Sequence, residues 1–333
     1  MNKKPVTLIL LFLSLFLVPA GVTGCGQSKD PLSQTGFYFD TVIQITLYDT
    51  QDTVVMDGCF ALAEKYENLL SATVEGSDVW RINHSGAMPV EVSPDTVSLL
   101  LTALHYAELT DGTVDPTILP VSSLWHFGSN DTPRLPGEQD IEEALTHVSW
   151  QNVSVNTDRN TVTLSDPQAA IDLGFIAKGY IADRMKEYLL EQGVQSACIN
   201  LGGNVMLLGA KPDGSAFRVG IQKAFAEDGA TEAVIEVQDT SVVTSGIYER
   251  YFYEDDILYH HILDTATGYP VDNNLVSVTI LCPSSVDADA LSTTCYCLGP
   301  EKGAALLDSM ANTEYLFVMK NGTRQTSAGF PIP

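Results

Sequence analysis

Positive charge is scarce in this chain. Its 333 residues hold 17 Lys and Arg against 42 Asp and Glu, a formal net charge of -25. No basic stripe is available to displace counterions from a phosphate backbone, so a nucleic-acid-binding surface is excluded. An anionic ligand would need a metal ion or backbone N–H groups to offset the field. Cysteine is sparse too: six residues and no C-x-x-C spacing. Five of them (Cys59, Cys198, Cys282, Cys295 and Cys297) read as small buried apolar residues rather than as disulfide partners or metal ligands. After residue 25 no apolar run approaches the ~18 residues that span a bilayer. The short nucleotide, nucleophile and zinc motifs are also missing: no G-x-G-x-x-G, G-x-x-x-x-G-K, G-x-S-x-G or H-E-x-x-H occurs. Of the six histidines only His260 and His261 are neighbours, which argues against a zinc centre.

What is present is globular: 45% hydrophobic and 18% charged residues, enough chain for one large domain or two medium ones. The N-terminus stands apart. Lys3 and Lys4 precede an apolar stretch over 8–18, and Val22-Thr23-Gly24-Cys25 follows. Small residues before a cysteine resemble a bacterial lipobox, in which the signal is cut before a Cys that becomes lipidated. The expectation is a lipoprotein signal peptide over 1–24, a lipid on Cys25, a polar tether over 25–35 and a folded domain over 36–333. The protein would then be lipid-anchored to the cell membrane on its extracytoplasmic face.

Periodicity within the domain predicts mixed elements. Ile43, Ile45 and Leu47 alternate with Gln44 and Thr46, which predicts a strand over 41–47. Val55, Phe60, Ala63, Tyr66 and Leu70 fall at helical spacing, and Ser93-Pro94-Asp95 starts the next helix. A Pro/Gly-rich loop is expected over 128–140, a strand pair over 153–164, and a helix from about Gly174 to Gln192. Strands then dominate: 197–201, 205–208, 217–222, 233–237, 242–244, 248–253, 258–263 and 276–281. Helices over 287–298 and 300–310 and a closing hairpin over 315–326 complete the chain. Strand runs and helix runs without regular alternation predict an α+β fold, mainly antiparallel sheets with packed helices.

Several residue sets could carry chemistry. Asp289 and Thr293 lie four apart on a predicted helix and so share a face. A carboxylate with a hydroxyl suits a hard cation such as Mg²⁺, although a surface acid beside a helix hydroxyl is the plainer alternative. Asp172 sits at a strand end before Gly174 and a helix N-terminus, where an anion is favoured or a simple cap suffices. Asn200-Leu201-Gly202-Gly203-Asn204 is a hairpin turn or a ligand contact. His260 or His261 could serve as a general base, or be structural. Trp80, Trp125 and the other aromatics read as core more than as a flavin platform.

Taken together, the segments resemble one family. They are Phe39-Asp40-Thr41, Ser77-Asp78-Val79-Trp80-Arg81-Ile82-Asn83, Asp111-Gly112-Thr113-Val114-Asp115-Pro116-Thr117 and Leu124-Trp125-His126-Phe127-Gly128. Further along come Asp172 to Tyr180, Asn200 to Gly203, Thr244 to Arg250, His261 to Gly268 and Ala288 to Thr294. In this order they resemble the ApbE family of FAD:protein FMN transferases, from about Gly36 to the C-terminus. The resemblance implies a single ApbE-like domain related to the T-fold, with its site between two lobes. It implies FAD as substrate, Mg²⁺ as cofactor, and transfer of FMN to a Thr or Ser hydroxyl of an exported acceptor flavoprotein with release of AMP. That acceptor would be a subunit of a membrane electron-transfer complex or an extracytoplasmic reductase.

Roles carry over by position. Asp289 and Thr293 match metal ligands, and Phe175 matches a ligand that acts through its backbone carbonyl. His261 matches the proposed base, with a pKa expected at the ordinary value of about 6.5, moved by the site's metal and carboxylates. Phe39, Thr113, Val114, Asp115, Asp172, Lys178 and Leu263 match flavin-nucleotide contacts. This chain also departs from the family's pattern. Phe39-Asp40-Thr41 stands where many members have Met-Gly-Thr, Thr73 where many have an aromatic that covers the isoalloxazine, and Asp264-Thr265 where Asp-Pro is usual. Two rival functions remain: a Mg²⁺-dependent FAD pyrophosphatase giving FMN and AMP, and a non-catalytic FAD-binding lipoprotein.

Overall fold

The apolar–polar alternation of the sequence becomes one large antiparallel sheet. The computed structural model describes residues 30–128, 132–226 and 229–332. The lipobox with Cys25 therefore lies outside the described residues. Strands β1 (Leu32–Tyr38) and β2 (Thr41–Leu47) form the first hairpin. Then come β3 (Val90–Glu91), β4 (Val153–Asn156), β5 (Thr161–Leu164), β6 (Ala197–Leu201), β7 (Asn204–Leu208), β8 (Phe217–Gln222) and β9 (Thr231–Val237). The last are β10 (Ser241–Gly246), β11 (Tyr251–Glu254), β12 (Ile257–His260), β13 (Leu275–Cys282), β14 (Glu314–Met319) and β15 (Arg324–Thr326). Eight of them make the main sheet, in the order β1-β2-β6-β7-β10-β13-β14-β15, and every neighbouring pair is antiparallel. Smaller sheets are β3-β5-β4, β8-β9 and β11-β12.

The helices are α1 (Thr53–Leu70), α2 (Asp78–Asn83), α3 (Pro94–Leu109), α4 (Leu119–Ser122), α5 (Glu138–Leu145), α6 (Ala177–Glu191) and α7 (Ser285–Asp308). Val55, Cys59, Phe60, Ala63, Tyr66 and Leu70 form the buried stripe of α1, which packs on α6. α6 packs on α7, and α7 lies on β10 and β13. The strand period sorts side chains between two layers. Val243, Ile280 and Phe317 join the helix-side core, while their neighbours Val242, Leu281 and Leu316 meet Ile221 and Ile235 of the β8–β9 pair. Covered on both faces, β13 is buried at all eight positions. A satellite cluster around Trp125, Val121, Ile141 and Leu263 packs apart from this main core.

Most elements match the sequence reading, and the differences have local causes. Residues 32–35, expected in the tether, belong to β1, because Leu32 to Tyr38 pair in register with β2. The polar composition of Ser33, Gln34 and Thr35 hides an edge strand whose outer face meets solvent. The strand expected from Tyr248 starts only at Tyr251, since a turn that closes Glu249 N–H onto Gly246 carbonyl precedes it. The strand expected to end at Asp172 is reduced to an isolated parallel bridge of Ala170 to Ile118. The loop expected over 128–140 gives way to α5 at Glu138. The two C-terminal helices run together as α7, kinked at Gly299 (φ 77°) before Pro300.

The approach of α6 to α7 is the tightest constraint in the helix layer. A Cβ on Gly179 would lie 2.2 Å from the Ser285 carbonyl oxygen and 2.7 Å from Val286 Cα. One turn on, Asp183 accepts the Ser285 and Val286 N–H groups, both at 2.9 Å, and so caps α7 from α6. Because the obstruction at Gly179 is backbone, no rotamer change relieves it. Gly179→Ala is expected to destabilise the protein by about 1–3 kcal/mol, read as a lower urea midpoint. An unchanged midpoint would show that the two helices can part freely.

Candidate active site

Two adjoining cavities share Gly174 at the head of α6. The first, of about 190 Å³, lies where the satellite cluster meets the main core. Eight of the residues singled out from the sequence line it: Thr113, Val114, Asp115, Asp172, Phe175, His261, Leu263 and Thr293. Phe39 and Lys178 instead line the second, of about 730 Å³. Asp289 lies behind Lys178, with its carboxylate 3.8 Å from the ammonium.

Turns bring these side chains together. The Asp172 carboxylate accepts Gly174 N–H at 2.8 Å, and Asp172 N–H donates to Pro116 carbonyl at 2.7 Å, which ties the 113–117 segment to the α6 entry. Asp115 is buried, and its carboxylate accepts Thr117 N–H, Thr117 hydroxyl and Trp150 N–H at 2.7–2.8 Å. Burial raises its pKa, and those three bonds oppose the rise. Its carboxylate therefore serves the loop, and what it offers a ligand is the shape of the wall.

The hard-oxygen set centres on Asp289, only 3% exposed. One carboxylate oxygen accepts Gly179 N–H at 2.9 Å. That is the donor a regular helix would aim at the Phe175 carbonyl, so the first turn of α6 diverts it. Burial raises the Asp289 pKa, and Lys178, the Gly179 N–H and the Asn204 amide pull it back. Asn204 Nδ2 is buried without a hydrogen-bond partner within normal geometry. Thr293 hydroxyl meets Ser245 hydroxyl at 3.1 Å. One carboxylate, one hydroxyl and one diverted carbonyl are hard oxygen donors, and few of them, which suits an ion that keeps water and phosphate oxygens as its remaining ligands. Among the described residues no group of three or more His, Cys, Asp and Glu could hold a metal.

The paired histidines separate as strand geometry requires. His260 is buried edge-on against Tyr296, while His261 lines the first cavity. His261 Nδ1 lies 3.3 Å from the Arg250 carbonyl, an acceptor only, so the proton belongs on Nδ1 and Nε2 keeps its lone pair. Burial, then the charge of Arg250, lowers the His261 pKa to about 3; burial likewise lowers His260 to about 4. The shift from the ordinary 6.5 comes first from burial, not from the carboxylates that the sequence reading named.

Some residues were not assigned from sequence. Glu249 and Arg250 line the second cavity, and burial pushes the Glu249 carboxyl up to about 7. They sit in the 244–250 segment that the family resemblance had already marked. Glu67 accepts Phe39 N–H at 2.7 Å. That bond steadies a two-residue turn in which Phe39 (φ 53°) and Asp40 (φ 55°) are both left-handed. Trp125 is core, whereas Trp80 is partly exposed and stacks on His84 at 4.1 Å.

An α+β sheet protein whose helix terminus, buried carboxylate and neutral histidine flank a cleft of two cavities is built to handle a phosphorylated ligand. The comparisons supply the family. A model described as the ApbE family matches residues 39–317. A FAD:protein FMN transferase of Klebsiella pneumoniae (strain 342) is 39% identical over 280 residues, covering 84% of this chain and 86% of that one. One from Treponema pallidum (strain Nichols) is 32% identical over 335 residues, covering 95% and 92%. The crystal structure of the ApbE protein from Thermotoga maritima superposes with a TM-score of 0.82 at 31% identity, covering 90% of this chain and 97% of that one. This chain belongs to the ApbE family.

Because the folded pKa of His261 lies below its unfolded value, its neutral form adds stability that is whole above about pH 6.5 and is lost as pH falls toward 3. In the free protein the His261 ring is expected to stay neutral at pH 5, seen as unmoved imidazole ¹⁵N shifts between pH 7 and 5. A titration centred near 6.5 would contradict the neutral, Nδ1-protonated assignment.

Proposed function

We propose that this protein transfers FMN from FAD to a hydroxyl of another exported protein. The observation that supports the reading is the placement of His261 and Thr293 in one cavity that shares Gly174, at the α6 entry, with the cavity of Lys178, behind which the Asp289 carboxylate lies. The names of the similar proteins, FAD:protein FMN transferases, agree with it.

The chemistry follows from the residues. The acceptor hydroxyl oxygen attacks the FMN-side phosphorus, its proton passes to His261 Nε2, and the P–O bond to AMP breaks. AMP leaves, and FMN stays on the acceptor as a phosphoester. A base within reach of the hydroxyl contributes typically about 10²–10⁴-fold. Lys178 contributes positive charge beside the pyrophosphate in a protein with little to spare. The walls at Thr113 to Asp115 and Leu263 bind and orient the nucleotide, and the narrow first cavity limits water near the phosphorus. Asp289, Thr293 and the Phe175 carbonyl would hold Mg²⁺, which when bound neutralises phosphate charge during the transfer.

The first 25 residues extend the proposal to location: a signal peptide over 1–24 and a lipid on Cys25 would hold the enzyme at the outer face of the cell membrane, where exported acceptors pass. No helix among the described residues is long and apolar enough to cross a membrane. Cys25→Ser is expected to leave the fold intact and move the protein from the membrane pellet to the soluble fraction. A variant that sediments as wild type does would overturn the lipid anchor.

The transferase reading is tested by intact mass. The protein is incubated with FAD, Mg²⁺ and exported flavoprotein subunits of membrane electron-transfer complexes, and one of them should gain the mass of one FMN. EDTA and Asp289→Ala should each abolish the gain. His261→Ala should slow single-turnover transfer by about 10²-fold or more while FAD affinity stays within a few-fold; His260→Ala should slow it much less. Free FMN and AMP with no labelled protein would mark a pyrophosphatase instead.

A further inference from the structure

Resting on the reading of Asp289 as a Mg²⁺ ligand, the geometry points to Asn204 as a positioning residue. Its side-chain amide, held in one sense by Ser285 and Ser241, faces the Asp289 carboxylate and keeps it where the cation can take it. Asn204 lines neither cavity, so it acts through Asp289 rather than on a ligand directly.

Asn204 opens β7, straight after the Gly202-Gly203 turn that Asn200 closes by accepting Gly203 N–H at 2.9 Å. The segment 200–204, which the sequence leaves between turn and ligand contact, is thus a turn that delivers a buried amide. Leu201 of β6 and Val243 of β10 flank Asn204 in the main sheet, and the residue is 1% exposed. β7 packs against α7, where the Ser285 hydroxyl donates to Asn204 Oδ1 at 2.8 Å. Asp289 lies one helical turn along the same face of α7. An amide whose oxygen is turned to Ser285 presents its nitrogen toward that next turn. The pull of the Asn204 amide on the Asp289 pKa agrees with this placement.

The hydrogen bonds run in one sense. Ser241 hydroxyl donates to Ser285 Oγ at 2.9 Å, and Ser285 gives its single proton to Asn204. Both serines are fully buried. Turning the amide over would set its oxygen against a carboxylate, acceptor to acceptor, and strip Ser285 of its own acceptor. Nδ2 has no partner of normal geometry elsewhere, so no competing group draws it away from Asp289. The carboxylate lacks another firm hold on one side. One oxygen accepts Gly179 N–H at 2.9 Å, but the other is 3.8 Å from Lys178 Nζ, longer than a hydrogen bond. Without the amide, the carboxylate could turn about the Gly179 bond. Groups that orient a metal's carboxylate ligand typically account for about 10–100-fold in metal affinity.

The test titrates Mg²⁺ calorimetrically into wild type, Asn204→Ala, Ser285→Ala and the double variant, each saturated with FAD. FAD affinity is measured separately in EDTA. Asn204→Ala is expected to weaken Mg²⁺ by about 10–100-fold and to leave metal-free FAD affinity unchanged. Ser285→Ala frees the amide to turn; it should weaken Mg²⁺ by a smaller factor and add nothing in the Asn204→Ala background. Additive losses, or a parallel loss of metal-free FAD affinity, would overturn the positioning role and mark a purely structural one. Equal Mg²⁺ affinity in wild type and Asn204→Ala, with binding abolished by Asp289→Ala, would overturn the role of Asn204 and leave Asp289 as ligand. Should Asn204→Ala not fold, Ser285→Ala decides alone, and Mg²⁺ affinity equal to wild type would overturn the role. If wild type binds no Mg²⁺, or Asp289→Ala binds it as wild type does, the metal reading fails and the role of Asn204 with it.

Discussion

The hydrogen bond from Gly179 N–H to the buried Asp289 carboxylate is the contact on which the site depends. It exists because α6 and α7 approach so closely that only glycine fits at residue 179. It fixes the carboxylate at the head of a helix, turns the first-turn donor away from Phe175, and sets Lys178 beside the same acid. A buried acid without such partners would give up its charge. At Asp289 burial still raises the pKa, and Lys178, the Gly179 N–H and the Asn204 amide oppose the rise.

The same junction reconciles an acidic protein with a phosphorylated substrate. A formal charge of -25 opposes any pyrophosphate. What the structure offers locally is one lysine, Lys178, beside Gly174, the residue both cavities share at the entry of α6. The cleft divides the work by size and chemistry. The smaller cavity carries His261 and the 113–115 segment, and the larger one carries Lys178, Glu249 and Arg250.

Much of this was legible in the sequence because it is periodic or local. The alternation of Ile43, Ile45 and Leu47 marks β2, the spacing of Val55 to Leu70 marks α1, and Gly299-Pro300 marks the kink in α7. The divergence of His260 and His261 follows the strand period, because the His261 N–H to Arg250 carbonyl bond carries the ladder one residue past β12. What sequence hid is what tertiary contact decides. β1 looked like tether because an edge strand can be polar on its open side. The three loop hydrogen bonds that the Asp115 carboxylate accepts could not be read from the sequence, because Trp150 is 35 residues away. Glu249 gains its raised pKa from burial, which no local pattern encodes. Gly179 is one glycine among 25 until the Ser285 carbonyl is seen against it.

The most direct test of the Asp289-centred account is the coupling between Mg²⁺ and FAD, measured calorimetrically in both directions on the full protein. If the carboxylate at the α6–α7 junction and the nucleotide share one ion, saturating Mg²⁺ must tighten FAD by some factor, and saturating FAD must tighten Mg²⁺ by the same factor. The account predicts an equal factor of about tenfold or more in each direction, within the 1–3 kcal/mol range usual for such coupling. FAD affinity that is indifferent to Mg²⁺ would contradict it.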